Sequence, residues 1–305
     1  MAQPLMLDEQ IRHNKAATAR LFVVVFLILA AIVWAIGVVY IGSVVGAAIL
    51  AVVVGGLYLL IASSSSVPAI LAAARARPAN PNVREEKLLI YAVEELSIAA
   101  GLNPPPKVYV QEDDDINAFA TGRNPKEAIV CATTGALRSL NKEELEGVIG
   151  HELSHVRNQD IKVTTYAVAL IGLIALLGEM VLRSMFWGRG RRGGGKDAGG
   201  AQLLVFLLAL VFIILAPLLA KLVYFAISRQ REYLADASGA ELTRNPEGLA
   251  GALEKIAQRE PQPNRGDRTV ASLYFDNPFR RFKASSVFST HPPIERRIAR
   301  LRGQD

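Results

Sequence analysis

Two histidines four residues apart, with a carboxylate beside the first, are the residues of this chain best suited to chemistry. They are His151 and His155, and Glu152 follows the first of them. Positions i and i+4 of an α-helix share one face, so both imidazoles can bind a single metal ion. The glutamate can then act as general base toward a water that the metal activates. The motif predicts a hydrolytic metal site; the alternative is a chance match, expected in roughly one chain in a hundred of this length.

Two histidines do not complete such a site, because a catalytic zinc ion takes three protein ligands and leaves a fourth position for water. Glu232 is the best candidate for the third ligand. It follows the apolar run at 203–227, and the histidine motif precedes the apolar run at 163–182. An even number of membrane crossings between them would return both segments to one face. Asp236 lies four residues after Glu232 and could accept a hydrogen bond from a ligating imidazole. The alternatives are His291 as a ligand, and an exposed helix start whose charges pair at i and i+4.

Four apolar runs must position these residues, at 21–41, 44–62, 163–182 and 203–227. Each has about 20 residues, the length at which a helix crosses the roughly 30 Å hydrocarbon core of a bilayer. The first two predict a helical hairpin that stays in the membrane, since the first run lacks the cleavage site of a signal peptide. The last two each contain a charged residue, and they predict either a second membrane hairpin or a buried hairpin of a globular domain.

Charge and cysteine content restrict the environment of the chain. The net charge is +6, but basic residues lie beside the apolar runs, as at Arg12 and Arg75, which argues against nucleic acid as a partner. By the positive-inside rule, the N-terminus and the region from residue 63 onward face the cytoplasm. Five further basic residues between 183 and 196 conflict with simple insertion of the second hairpin, so full and partial insertion both remain open. The single cysteine, Cys131, excludes an internal disulfide and suits a reducing compartment.

Periodicity and turn residues predict the remaining elements. Helical spacing predicts helices, alternating stretches predict strands, and Asn141 followed by Glu144 forms a capping-box pattern before the histidine motif. The predicted elements are a helix at 85–101, strands at 107–111, 117–122 and 128–132, and a helix at 141–160. The chain divides into four segments. Residues 1–62 form a cytoplasmic arm with a transmembrane hairpin, and residues 63–162 form a first part of the metal domain with the active-site helix. Residues 163–227 form a second apolar hairpin with an Arg/Gly-rich loop, and residues 228–305 form a second part of the metal domain.

Four motifs together carry a family resemblance. They are Asn-Ala-Phe-Ala-Thr-Gly at 117–122, Gly-His-Glu-Leu-Ser-His at 150–155, Ser-Arg-Gln-Arg-Glu-Tyr-Leu-Ala-Asp at 228–236 and Ser-Thr-His-Pro-Pro at 289–293. With these motifs and the apolar runs, nearly the whole chain resembles the HtpX-type membrane zinc metalloproteases, relatives of the type I CAAX prenyl proteases. The resemblance implies a mainly helical α+β protease domain, zincin-like and of the gluzincin type, with two transmembrane helical hairpins.

The same resemblance implies roles for individual residues. His151, His155 and Glu232 would bind one Zn²⁺ per chain, and Glu152 would act as the general base. Asn117 would lie on an edge strand beside the cleft, where an extended substrate can add as a further strand.

Residues near the C-terminus have implied roles as well. His291 would approach the cleft and stabilise the oxyanion, or it would be a structural cap of the turn before two prolines. Either Arg296 or Arg297 would pair with acidic groups near the zinc. Bacterial members of the family are stress-linked quality-control endopeptidases. The chain is therefore expected to cleave damaged or misfolded membrane proteins, as a multi-pass protein of the inner membrane with its active site facing the cytoplasm.

Three other functions remain as alternatives. A CAAX-type prenyl-peptide protease is expected to have more membrane spans, which enclose a chamber. A non-catalytic membrane scaffold would have no need of Glu152. A transporter is expected to have Gly- or Pro-broken spans in related halves, whereas Pro217 is isolated. The pattern favours general proteolysis, with protein or peptide substrates and the lipid bilayer as the partners.

Overall fold

The computed structural model describes residues 7–169, 229–259, 273–275 and 292–304. The helices of this part of the chain are α1 Leu7–Ile41, α2 Val44–Ala73, α3 Arg84–Ala99, α4 Thr134–Ser139, α5 Lys142–Arg157, α6 at residues 160–169, α7 Arg229–Thr243, α8 Pro246–Gln258 and α9 Ile294–Leu301. The strands are β1 Ala76–Pro78, β2 Lys107–Gln111, β3 Ala118–Thr121 and β4 Ile129–Thr133. Both predicted helices and all three predicted strands are present, within a few residues of their predicted ends.

The two N-terminal helices pack against each other and expose apolar side chains. Val45, Ile49 and Leu60 of α2 have 69%, 62% and 65% of their surface exposed. Among the described residues, α2 is the one helix long and apolar enough to cross a membrane, and α1 contains a shorter apolar stretch, Thr18–Ala31. An exposed apolar surface of this kind is typical of contact with lipid. The predicted second hairpin at 163–227 lies almost entirely outside the described residues.

Helix α2 is longer than the apolar run at 44–62 indicates, because it continues through four serines to Ala73. The hydroxyl groups of these serines donate to carbonyl groups three or four residues earlier, as from Ser65 Oγ to Ile61 O at 2.6 Å. Hydroxyls that are satisfied in this way leave the backbone hydrogen bonds of the helix intact. The polar run therefore does not end the helix. The first strand, β1, begins three residues after the last residue of α2.

A four-stranded sheet supports the metal domain, in the order β1-β2-β4-β3. Strands β2 and β4 are parallel, whereas β1 and β3 pair antiparallel with their neighbours. Strand β1 has only three residues and a proline, so no alternating pattern predicts it. Strand β3 lies at an edge of the sheet, as the resemblance implies for residues 117–122. Cys131 is fully buried in β4 and is a core residue of the strand.

The core lies between the sheet and the helices that carry the site. Val93 of α3, Val130 of β4 and Leu153 of α5 are completely buried in it, and Leu253 of α8 is nearly so. Full burial of such a side chain stabilises the fold by roughly 1.5–3 kcal/mol. These contacts hold α5 rigidly against the sheet, with one face left for the metal site.

Two glycines allow α7 to lie directly against α5 at the histidine motif. A Cβ atom on Gly239 would lie only 2.7 Å from the backbone nitrogen of His151, and one on Gly150 would lie 3.1 Å from the carbonyl oxygen of Gly239. Any larger residue at Gly239 would push the two helices apart. This close approach brings the preceding turns of α7, with Glu232 and Asp236, to the face of α5 that carries the histidines.

An ion pair between the half-exposed Arg77 and the buried carboxylate of Glu86 connects β1 with the start of α3. It leads to a prediction about acid stability. The carboxylate of Glu86 is 5% exposed and accepts hydrogen bonds from Arg77 Nη1 and Nη2 at 2.9 and 2.7 Å. These bonds hold the pKa of Glu86 below its ordinary value. Because the folded-state pKa is lowered, the pair stabilises the fold above the unfolded pKa, about 4.3. That stabilisation is lost as the pH falls through the lowered value.

We therefore expect Glu86→Gln to lower the free energy of unfolding at pH 7 by about 1.5–3 kcal/mol, the usual contribution of charge-assisted hydrogen bonds. The difference from the unmodified chain should shrink as the pH falls below 4, since protonation removes the same charge. Thermal unfolding in detergent at a series of pH values measures this. Glu85→Gln is the matched control, because Glu85 is exposed on the same helical turn. A difference between Glu86→Gln and the unmodified chain that stays constant from pH 7 to pH 3 would contradict the assignment.

Candidate metal site

Helix α5 presents the histidine motif, and its first turn is fixed by a capping box. Asn141 Oδ1 accepts from the backbone N–H of Glu144, and Glu144 Oε2 accepts from that of Asn141, both at 2.8 Å. This confirms the predicted capping box. His151 and Glu152 are almost fully buried further along the helix, at 1% and 3% exposure.

The two histidines and Glu232 converge on one point, as the spacing predicts. The Nε2 atoms of His151 and His155 are 3.2 Å apart. Each Nε2 atom lies 3.7 Å from a carboxylate oxygen of Glu232. Two ligand atoms at about 2.0–2.1 Å from a tetrahedral zinc ion are roughly 3.3 Å apart. The three side chains therefore have donor types and a spacing suited to one tetrahedral metal ion.

The other ring nitrogen of each histidine contacts an aspartate. His151 Nδ1 is 2.9 Å from Asp236 Oδ1, and His155 Nδ1 is 2.9 Å from Asp160 Oδ2. A carboxylate acceptor keeps a proton on Nδ1 and directs the lone pair of Nε2 toward the shared point. The contact of Asp236 is the one that its position four residues after Glu232 predicts. No pattern in the sequence indicates the contact of Asp160.

Arg297 of α9 completes the surroundings of His151. Its Nη2 and Nε atoms donate to the two carboxylate oxygens of Asp236 at 2.7 and 2.9 Å. The side chain is 1% exposed, and its guanidinium lies 4.6 Å from the ring centre of Phe275. Of the two arginines that the resemblance implies, Arg297 has this position and Arg296 is exposed on the other side of α9.

Burial and the neighbouring carboxylates set the protonation of the site. Burial lowers the pKa of His151 to about 4, so this ring is neutral at pH 7. Burial also acts to lower the pKa of His155, but the hydrogen bond to Asp160 and the negative charges of Glu232 and Glu152 raise it to about 9. A metal ion that binds here has to displace the proton of His155, so its binding releases a proton.

A cleft opens onto this group of donors. Its lining combines the site residues with apolar side chains and one arginine, and consists of Ala120, His151, Glu152, His155, Asp160, Ile161, Thr164, Arg231, Glu232, Leu273 and Phe275. Ala120 is the residue of strand β3 that lines the cleft. Asn117 lies just before the strand and is 5% exposed. Glu152 therefore faces the same space as the side chains of His151, His155 and Glu232. His291 lies outside the described residues.

Comparisons with known proteins relate the chain to a family of peptidases. The family described as Peptidase family M48 matches residues 84–305, more than half of the chain. The Protease HtpX homologs of Streptococcus uberis and Ligilactobacillus salivarius are each 44% identical to it, over 298 and 297 residues, which are 97% of this chain and 99% of each relative. The crystal structure of S. mikatae Ste24p is similar with a TM-score of 0.46 and 16% identity, over 90% of this chain and 61% of that one.

Proposed function

We propose a mechanism of peptide-bond hydrolysis for this chain, which belongs to peptidase family M48 and is a membrane metalloprotease. One observation carries the proposal. Ligand atoms of His151, His155 and Glu232 lie within 4.8 Å of one another, and Glu152 lines the cleft beside them. Three protein donors next to an open cleft are the composition of a catalytic metal centre rather than a closed structural one.

The proposed metal is zinc, one ion per chain. Two imidazole nitrogens and a carboxylate oxygen are the donor set of many catalytic zinc sites. When bound, zinc polarises a peptide carbonyl and lowers the pKa of its water toward about 7. The protein holds the ring of His151 in place through Asp236, which contacts its Nδ1 atom. Asp236 is suited to this because burial, which would raise its pKa, is outweighed by the charge of Arg297, and the pKa is lowered to about 2.

Glu152 is proposed as the group that moves protons. It takes a proton from the attacking water and gives it to the leaving amine as the peptide bond breaks. Glu152 follows His151 on α5, is 3% exposed and lines the cleft. His291 is proposed to stabilise the negative charge on the carbonyl oxygen during attack.

An extended substrate segment is proposed to align with the outer edge of β3. Asn117 O accepts a hydrogen bond from the backbone of Thr133 on β4, so by alternation the polar groups of Ala118 and Ala120 point away from the sheet. Ala118 O accepts from the N–H of Phe275 at 2.8 Å, and Ala120 lines the cleft. The backbone of Ala120 is therefore the proposed contact for substrate. Asn117 supports this edge, since its Oδ1 accepts from the N–H of Ala118.

The proposed substrates are damaged or misfolded membrane proteins, cut at the cytoplasmic face of the inner membrane during stress. An edge strand binds main-chain groups, so it accepts many sequences provided that the segment is extended. Unfolded segments meet that condition, whereas folded domains do not. The basic residues beside the first two apolar runs support a cytoplasmic position of the site by the positive-inside rule.

Membrane vesicles of the two orientations test the function and its sidedness together. Vesicles with the cytoplasmic face outward should cleave an added unfolded protein. A zinc chelator should lower that rate by roughly 100-fold or more, because the metal contributes several kcal/mol to the transition state, and added Zn²⁺ should restore it. Vesicles of the opposite orientation should cleave only after detergent is added. Cleavage that resists the chelator would refute the metal mechanism, and equal cleavage by both intact preparations would refute the cytoplasmic site.

A further inference from the structure

We propose that Asp160 is a positioning residue for the metal ligand His155 and that Arg231 holds Asp160 in place. The proposal rests on the proposed metal site and extends it to a side chain that neither the zinc motif nor the glutamate motif includes. Asp160 Oδ2 lies 2.9 Å from His155 Nδ1, and the carboxylate is only 6% exposed. A buried acceptor at this distance fixes both the tautomer and the plane of the ring.

The contact depends on a break between α5 and α6. Helix α5 ends at Arg157, and Gln159 has a φ of 58°, in the left-handed region. On an uninterrupted helix, a residue five positions after His155 would lie about 140° around the axis from it, at about 100° per residue. The break instead turns the chain, so that Asp160 begins α6 beside the imidazole. A strained backbone residue next to a functional ring is a common feature of such sites.

Helix α6 is itself fixed to the edge strand beside the cleft. Thr165 Oγ1 accepts a hydrogen bond from the N–H of Gly122 at 3.0 Å and lies 2.9 Å from Thr121 Oγ1. Ile161 packs in the core with 1% exposure. Asp160 is therefore held by the anchored first turns of α6, which gives it the rigidity that a positioning residue needs.

Arg231 ties the Asp160 carboxylate to the helix that carries the third ligand. Arg231 Nη1 lies 3.5 Å from Asp160 Oδ1, and Arg231 directly precedes Glu232 on α7. The pair thus connects the segment of the second histidine with the segment of the glutamate ligand. These two segments are separated in sequence by residues 170–228.

Each of the two histidines contacts an aspartate that pairs with an arginine, but the two arginines differ in burial and in contact distance. On the side of His151, the arginine is 1% exposed and grips its aspartate with two short hydrogen bonds. On the side of His155, Arg231 is 17% exposed, makes a longer contact and lines the cleft. The aspartate contact should therefore carry most of the effect on His155, and the arginine contact, which is open to water, should carry less.

Zinc affinity of the full-length chain in detergent tests the proposal, measured by competition with a chromophoric chelator. Asp160→Asn should retain one zinc per chain but bind it 10–100-fold more weakly, the usual cost of losing such a partner. Arg231→Gln should weaken binding only about twofold to fivefold, as expected for a partly exposed ion pair, and Arg231→Lys should restore most of that loss. Asp114→Asn is the matched control, since Asp114 pairs with Arg138 on the surface.

The visible spectrum of the Co²⁺-substituted protein separates positioning from a general loss of stability. Asp160→Asn should shift the Co²⁺ bands, because the ring of His155 is reoriented, whereas the control should leave them unchanged. Zinc affinity within threefold of the unmodified chain, or an unchanged Co²⁺ spectrum, would overturn the proposal. If Asp160→Asn does not fold, an unchanged affinity in Arg231→Gln overturns it in the same way. Failure of the unmodified chain to bind zinc would instead refute the proposed function itself.

Discussion

Replacement of Glu152 by glutamine is expected to abolish peptide hydrolysis while the chain keeps its metal. The amide has nearly the same size as the carboxylate but cannot take a proton from water. General acid–base catalysis contributes typically 10²–10⁴-fold, and Glu152 is proposed to serve in both proton transfers. We therefore expect kcat to fall by at least about 1,000-fold, with zinc stoichiometry and KM little changed.

The measurement is cleavage of an unfolded protein by the purified chain in detergent, with zinc content determined on the same samples. Glu143→Gln is the matched control, because Glu143 is an exposed glutamate on the first turn of the same helix. It should retain full activity. A Glu152→Gln protein that still cleaves within tenfold of the unmodified rate, in a zinc-dependent way, would remove Glu152 from the mechanism.

Replacement of Glu232 by alanine is expected to release the metal itself. The two histidines would remain, but two protein ligands do not hold a catalytic zinc ion. The change also removes a negative charge that lies 3.7 Å from both Nε2 atoms. Loss of a ligand should cost more than loss of a group behind a ligand, so zinc affinity should fall by more than about 100-fold.

Zinc content after dialysis against a weak chelator, together with proteolysis, measures this effect. Glu241→Ala is the control on the same helix, since Glu241 is exposed near the end of α7 and the substitution has the same effect on helix propensity. It should retain one zinc ion and full activity. A Glu232→Ala protein that binds zinc as tightly as the unmodified chain would exclude Glu232 as a ligand.

The parts of the site that the sequence predicts are those set by helical periodicity. The spacing of His151 and His155 places both on one face of α5, and the spacing of Glu232 and Asp236 does the same on α7. The capping box of Asn141 is equally local, since it needs only residues of one turn. Such patterns are readable because their geometry depends on a few neighbouring residues and not on the rest of the fold.

The parts that could not be predicted depend on departures from periodicity or on distant contacts. Asp160 reaches His155 only because the helix breaks at Gln159, and no single residue type requires a left-handed conformation there. The choice of Arg297 over Arg296 is decided by the packing of α9 against α7. The hydrogen bond from Phe275 to Ala118 joins residues far apart in the chain, and no local pattern signals it.

Helix α2 is longer than its apolar run indicates for a related reason. A run of four serines reads as a polar linker, yet hydroxyl groups that bond back to carbonyls, as those of Ser63 and Ser65 do, allow a helix to continue. The signal that could have revealed this is the absence of glycine between Ser63 and Ala73. Pro68 does not stop the helix either, since it lies within α2.

Anomalous scattering from crystals of the full-length, active chain tests the central claim most directly. Data on both sides of the zinc absorption edge should give one peak, about 2.0–2.2 Å from a ligand atom of each of His151, His155 and Glu232. A preparation that cleaves protein but shows no zinc peak between these three side chains would contradict the account.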